Sequence, residues 1–143
     1  MVEEACRWEG FGGRLSVAGD EGTPELLLRR AYRLFNERRI DALLALMTED
    51  VEWPNVAGGT VLHGREAIRP YWEGQFAAAD PRVDPTEFRQ VGDDVVAVVD
   101  QRVLDRQGRL LAADVVYHRY TFTLGRVSRM VVFTSPEEAF ARG

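Results

Sequence analysis

The chain contains no lysine; all 18 of its basic residues are arginine. That bias reads as the codon usage of a GC-rich genome. Its chemical consequence is that no side-chain amine can form a Schiff base or act as a tunable base. Cysteine is nearly absent too. Cys6 stands alone, which excludes an intrachain disulfide and a thiolate metal cluster. The two histidines, His63 and His118, have neither H-x-H nor H-x-x-x-H spacing, so no metal set is expected. Gly58-Gly59 does not begin a phosphate loop, and no G-x-S-x-G elbow occurs. No cofactor is therefore expected. No apolar run approaches the ~18 residues of a membrane span, and the first residues lack a signal-peptide core. The expectation is a cytoplasmic protein with no membrane contact. Excess positive charge is also missing. A net charge of −5 argues against nucleic acid as a partner, because such binding needs concentrated basic charge.

The 143 residues carry 45 % hydrophobic and 29 % charged side chains, a globular composition for one domain of ordinary size. Residues 1–22 are glycine-rich and aperiodic, and read as an arm or tail bearing Trp8 and Phe11. Residues 23–143 read as a single domain. Thr23-Pro24 is a helix start, followed by Leu28, Ala31, Tyr32 and Phe35 at helical spacing to about Arg38. Asp41 is placed to cap a short second helix ending near Met47. VEWPN (51–55) reads as a brief strand stopped by Pro54, and 60–63 as another. A third helix covers 65–79, with Pro70 expected in its first turn.

After Asp80-Pro81 the period changes from 3.6 to 2. Four strands are expected at 83–91, 94–105, 109–123 and 126–134, joined by tight turns at Gly92-Asp93, Gln107-Gly108 and Leu124-Gly125. Ser135-Pro136-Glu137-Glu138 resembles a capping box for a last short helix. Helices followed by strands give an α+β class, with helices on one face of an antiparallel sheet. Strands this long must twist and curl, making a cone around the helices.

This order, with the stretches LMTEDVEW, LHGREAIRPYW and TFTLGRVSRM, resembles the nuclear transport factor 2-like superfamily, in its SnoaL-like and ketosteroid-isomerase-like branch. The likeness covers about residues 23–134. It implies a cystatin-like cone and a wide choice of functions: isomerases, dehydratases, cyclases, epoxide hydrolases, ligand binders and protein scaffolds. Fold alone does not choose among them.

Strand alternation assigns the faces. Val95, Ala97, Val99, Gln101 and Val103 share one face of their strand. Asp114, Val116, His118, Tyr120 and Phe122 share one face of the next. A cavity is expected between Gln101, His118 and Tyr120 on one side and Trp53, Asn55, Tyr71, Trp72 and Phe76 on the other. His118 is the candidate general acid or base, with Asp114 to orient it or act as base, although the place of Asp114 near the hairpin better fits a solvated carboxylate at the sheet end. Asn55, Gln101 and Tyr120 are candidates to hold a carbonyl or enolate oxygen. Trp72 and Phe76 read as core packing first, and His118 serves equally well as a paired core histidine. Asp100 and Arg102 are expected as an outer-face ion pair. The sequence thus supports two readings. One is a cofactor-independent isomerase, cyclase or dehydratase acting by acid–base chemistry on a small hydrophobic carbonyl compound. The other is a non-catalytic ligand-binding or protein-interaction module. The outer face, with Val96, Val98, Leu104, Leu111, Ala113, Val115 and Tyr117 rimmed by Asp100, Arg102 and Arg119, is expected to form a homodimer.

Overall fold

The computed structural model describes residues 23–56 and 58–141. The expected arm, with Trp8 and Phe11, and Cys6 lie outside the described residues.

Thr23 opens the first helix, α1 (Pro24–Asn36): the Leu26 N–H donates to its Oγ1 at 3.2 Å, and Pro24 needs no donor there. Leu28, Tyr32 and Leu34 are buried. The helix ends where Arg38 turns left-handed, at φ 65°. Such a position usually takes glycine. Here Arg38 pairs with Asp80 and stacks 4.3 Å from the Phe76 ring, which offsets the strain. Asn36 fastens the helix to the sheet. Its Nδ2 donates to the Val83 carbonyl at 2.8 Å, and the Val83 N–H donates to its Oδ1 at 3.0 Å.

The second helix, α2 (Ile40–Leu44), starts at Arg39 without a side-chain cap. Asp41 lies inside its first turn and accepts an ion pair from Arg69 at 2.6 Å instead of capping. Strand β1 (Met47–Asn55) starts four residues before the expected 51 because it finds a parallel neighbour in the last strand, pairing Met47 with Val127 and Glu52 with Arg129. Pro54 sits past the last of those pairings, so it breaks no ladder on that side. Strand β2 (Thr60–His63) follows, then α3 (Arg65–Ala78). Pro70 lies within the body of α3 rather than in its first turn, on the exposed side.

The remaining strands are β3 (Asp80–Val91), β4 (Asp94–Leu104), β5 (Leu110–Thr123) and β6 (Arg126–Phe133). The six strands form one sheet in the order β2-β1-β6-β5-β4-β3, curved but unclosed. Its free edge β3 carries Pro81 and Pro85 and a bulge between Pro85 and Glu87. Prolines and bulges are what an edge strand tolerates. The helices pack inside the curve, where Leu28, Met47, Val51, Ile68, Trp72, Val99 and Val127 form the deepest core.

The outer face differs from the expectation of a bare apolar surface. The C-terminal helix α4 (Pro136–Ala139) starts at the Ser135 cap, whose Oγ accepts from the Glu138 N–H at 3.2 Å. With Phe140 it covers Val91, Val96 and Tyr117. Arg119, expected at a solvated rim, is largely buried. It pairs with Asp94 at 2.8 Å and donates to the carbonyls of Ala139 and Ala141, holding the C-terminal segment down. Arg102 pairs with Asp84 across the strands at 3.3 Å, not with Asp100 as expected. Their register brings Asp84 opposite Asp100 and Arg82 opposite Arg102, so the charges sort between strands.

The β5–β6 turn places both Leu124 (φ 53°) and Gly125 (φ 81°) in left-handed backbone. That is the pattern of a type I′ hairpin, which favours Asn-Gly. Leu124 is 98 % exposed, so it gains nothing from packing. Leu124→Asn should therefore stabilise the fold by about 0.5–1 kcal/mol. A thermal melt will show the midpoint rising by a few degrees; an unchanged or lower midpoint contradicts this account of the turn.

Candidate functional site

The curved sheet and the helices leave a half-enclosed cavity of about 250 Å³. Its deep end is built from α1 and the middle of β5. Period 3.6 turns Tyr32 of α1 inward beside Leu28, and period 2 turns His118 and Tyr120 inward from β5. These three meet 86 and 88 residues apart in sequence. The Tyr120 hydroxyl donates to the Tyr32 hydroxyl at 2.7 Å, and the Tyr32 hydroxyl lies 2.7 Å from His118 Nδ1. The Tyr32 and His118 rings stack at 5.9 Å, and Tyr120 stands edge-on to both.

Burial sets the protonation state of this group. It lowers the His118 pKa from 6.5 to about 4, because the imidazolium would lose its hydration. His118 is therefore neutral at neutral pH. The same burial raises the Tyr32 and Tyr120 hydroxyls, so both keep their protons.

The side walls are apolar and aromatic. Trp53 meets Trp72 edge-on at 5.3 Å, and Phe35 meets Trp72 at 6.1 Å. Met47, Val116, Val127 and Met130 also line it. Toward the mouth stand exposed Val56 and Thr134 and half-buried Tyr71, Gln75 and Gln101. The Gln75 amide donates to the Tyr71 hydroxyl at 3.1 Å.

Of the residues expected from sequence, Trp53, Tyr71, Trp72, Gln101, His118 and Tyr120 line this one cavity. Three others do not. Asn55 closes the β1–β2 turn, its Oδ1 accepting from the Gly58 N–H at 3.1 Å; a Cβ on Gly58 would meet that amide at 2.8 Å. Phe76 forms a second layer, behind Phe35 at 5.1 Å and beneath Arg38. Asp114 is exposed, as are all of residues 110–115, because this end of β5 extends beyond the cavity walls. It does not contact His118; its register partner is Gln101. Tyr32 was not among the expected site residues. The available signal was a phenol within a buried helical stripe, since a buried tyrosine hydroxyl needs a partner.

The depressed His118 pKa makes a pH prediction. The unfolded histidine binds a proton below about 6.5, whereas the folded one resists until about 4. Stability is thus complete above 6.5 and declines as pH falls toward 4. Asp80 is held below the usual carboxylate range chiefly by hydrogen bonding to Arg82, and Asp105 by the Arg109 N–H. Their contribution is lost only at lower pH, below the ordinary carboxylate value. Between pH 6.5 and 4.5 the wild type should lose about 2–3 kcal/mol more than His118→Gln, as measured by urea unfolding. Equal losses in the two proteins would contradict a neutral, buried His118.

The SnoaL-like domain model matches residues 28–130. No curated protein matches the sequence. Among solved structures, TerC, co-crystallised with polyporic acid, is 27% identical with a TM-score of 0.67, over 76% of this chain and 88% of TerC. An NTF2-like protein of unknown function from Burkholderia pseudomallei is 24% identical with a TM-score of 0.68, over 80% of this chain and 92% of its own. SalBIII, an epoxide hydrolase/cyclase-like enzyme linked to pyran ring formation in the polyether salinomycin, is 22% identical with a TM-score of 0.67, over 82% and 94%. The last two likenesses speak to the fold, which is the NTF2-like, ketosteroid-isomerase-like α+β architecture expected from the sequence. With the family match spanning most of its length, the chain belongs to the SnoaL-like domain family.

Proposed function

We propose that this domain binds a neutral, largely apolar small molecule in the cavity, with a carbonyl turned toward His118. One observation carries the reading: among the described residues no Asp, Glu or Arg lines the cavity, and its one ionisable imidazole is held neutral. A charged ligand would lose its hydration and find no counter-charge, a cost of several kcal/mol. An apolar body fits the Trp53, Trp72, Phe35 and Met130 walls, and its polar end meets His118. The co-crystallisation of TerC with polyporic acid supports a small organic ligand for this architecture.

A cyclase or isomerase also needs a base near the reacting carbon. The expected carboxylate, Asp114, stands in solvent, and an imidazole with a pKa of about 4 is a weak base. The wall does hold neutral donors able to polarise a carbonyl. These facts favour binding over acid–base turnover as the primary reading.

The homodimer is the second part of the proposal. α4 covers one end of the outer face, but Leu111 (61 % exposed) and Val115 (50 % exposed) remain uncovered on β5, with Ala113 between them. Pairing two such faces around a two-fold axis would bury about 800 Å² per subunit. Light scattering at micromolar concentration should give twice the chain mass, and Val115→Arg should return it to a monomer. A wild type that runs as a monomer excludes this assembly.

Calorimetry tests the ligand reading. 1-Tetralone, a neutral bicyclic ketone, should bind at least tenfold more tightly than the similarly sized 1-naphthoate, and His118→Leu should weaken the ketone by about 2- to 10-fold, the worth of one neutral hydrogen bond. Equal affinity for ketone and carboxylate contradicts the neutral-site reading.

A further inference from the structure

We propose that Tyr32 is a positioning residue whose hydroxyl fixes His118 as an Nε2–H donor, so that the cavity takes ligands whose buried polar end is a hydrogen-bond acceptor, such as a ketone or quinone carbonyl. The ligand class rests on the binding role proposed above. The proton arrangement rests on geometry alone.

Tyr120 Oη, Tyr32 Oη and His118 Nδ1 form two consecutive contacts of 2.7 Å. Neither hydroxyl has another hydrogen-bond partner among the described residues, and both tyrosines are buried, at 4 % and 5 % exposure. Suppose Nδ1 carried the imidazole proton and donated it to Tyr32. Tyr32 would then either donate to Tyr120, leaving the Tyr120 proton without an acceptor, or accept from Tyr120 as well and strand its own. A buried, unpaired hydroxyl proton is costly. The order Tyr120 to Tyr32 to Nδ1 pairs both hydroxyl protons. It makes Nδ1 an acceptor and puts the imidazole proton on Nε2.

Nε2 then faces the cavity. Among the described residues, Thr48 Oγ1 is the one sealed side-chain polar atom without a partner. Nε2 has no hydrogen-bond partner among the described residues, and His118 lines the cavity, so we assign Nε2 to the cavity side. Among the described residues no charged side chain shares that lining to draw the proton back. The Tyr32 contact at Nδ1, with the ring planes 12° apart, holds the imidazole in this orientation.

Nitrogen NMR of ¹⁵N-labelled protein at pH 7 tests the assignment, with His63→Gln identifying the other histidine. The expected spectrum has His118 Nε2 in the N–H range and Nδ1 in the lone-pair range, displaced by an accepted hydrogen bond. Tyr32→Phe should move the Nδ1 signal to its unbonded position or mix the tautomers, whereas Tyr120→Phe should move it less. A protonated Nδ1 in the wild type overturns the proposal, as does an Nδ1 signal that Tyr32→Phe leaves in place. If Tyr32→Phe does not fold, the wild-type spectrum still decides which nitrogen bears the proton. None of these readings requires a ligand, so an Nε2–H histidine in a protein that fails to bind 1-tetralone counts against the binding reading and not against the proton order.

Discussion

The hydrogen-bond chain from Tyr120 through Tyr32 to His118 is the interaction on which the site depends. It joins α1 to β5 inside the curve of the sheet and is the polar part of an otherwise apolar interior. Three polar groups at this depth are tolerated because each hydroxyl proton has an acceptor. The same burial that makes the chain costly to break keeps His118 uncharged. Fold stability and the chemistry of the site therefore share one cause, and the pH that protonates the histidine is also the pH that opposes folding.

The rest of the architecture keeps space beside that chain. Asn36 and Arg38 anchor the end of α1 to β3, fixing where Tyr32 lies. The Arg65 guanidinium donates to the Met47 carbonyl, tying the start of α3 to β1. Trp53, Trp72 and Phe35 meet edge-on, so large rings support one another around the void instead of filling it. The outside is handled separately: Arg119 and Phe140 hold the C-terminal helix over one end of the sheet, leaving Leu111 and Val115 bare at the other.

Much of this was legible in the sequence because it depends on local periodicity. Alternation alone put Gln101, His118 and Tyr120 on the inner face, and the tight turns delimited the long strands. What was not legible depends on partners distant in sequence or on where a layer ends. β1 is longer than VEWPN because β6, some 80 residues later, pairs beside it. Asp114 shares the inner face with His118, but alternation cannot say how far the helices reach over a strand, and they stop short of it. Asn55 read as a ligand contact although N-x-x-G is also a turn signature, which is the role it takes. Spacing alone places Tyr32 in an apolar stripe; only its buried hydroxyl's need for a partner marks it as part of the site.

The central claim is that the cavity receives a neutral acceptor group at His118. A crystal structure with 1-tetralone bound tests it most directly. The account predicts the ketone oxygen within hydrogen-bond distance of His118 Nε2, about 2.7–3.2 Å, with the ring system between Trp53, Trp72 and Phe35. A ketone bound with its oxygen at the mouth and its rings against His118, or bound outside the cavity altogether, would contradict it.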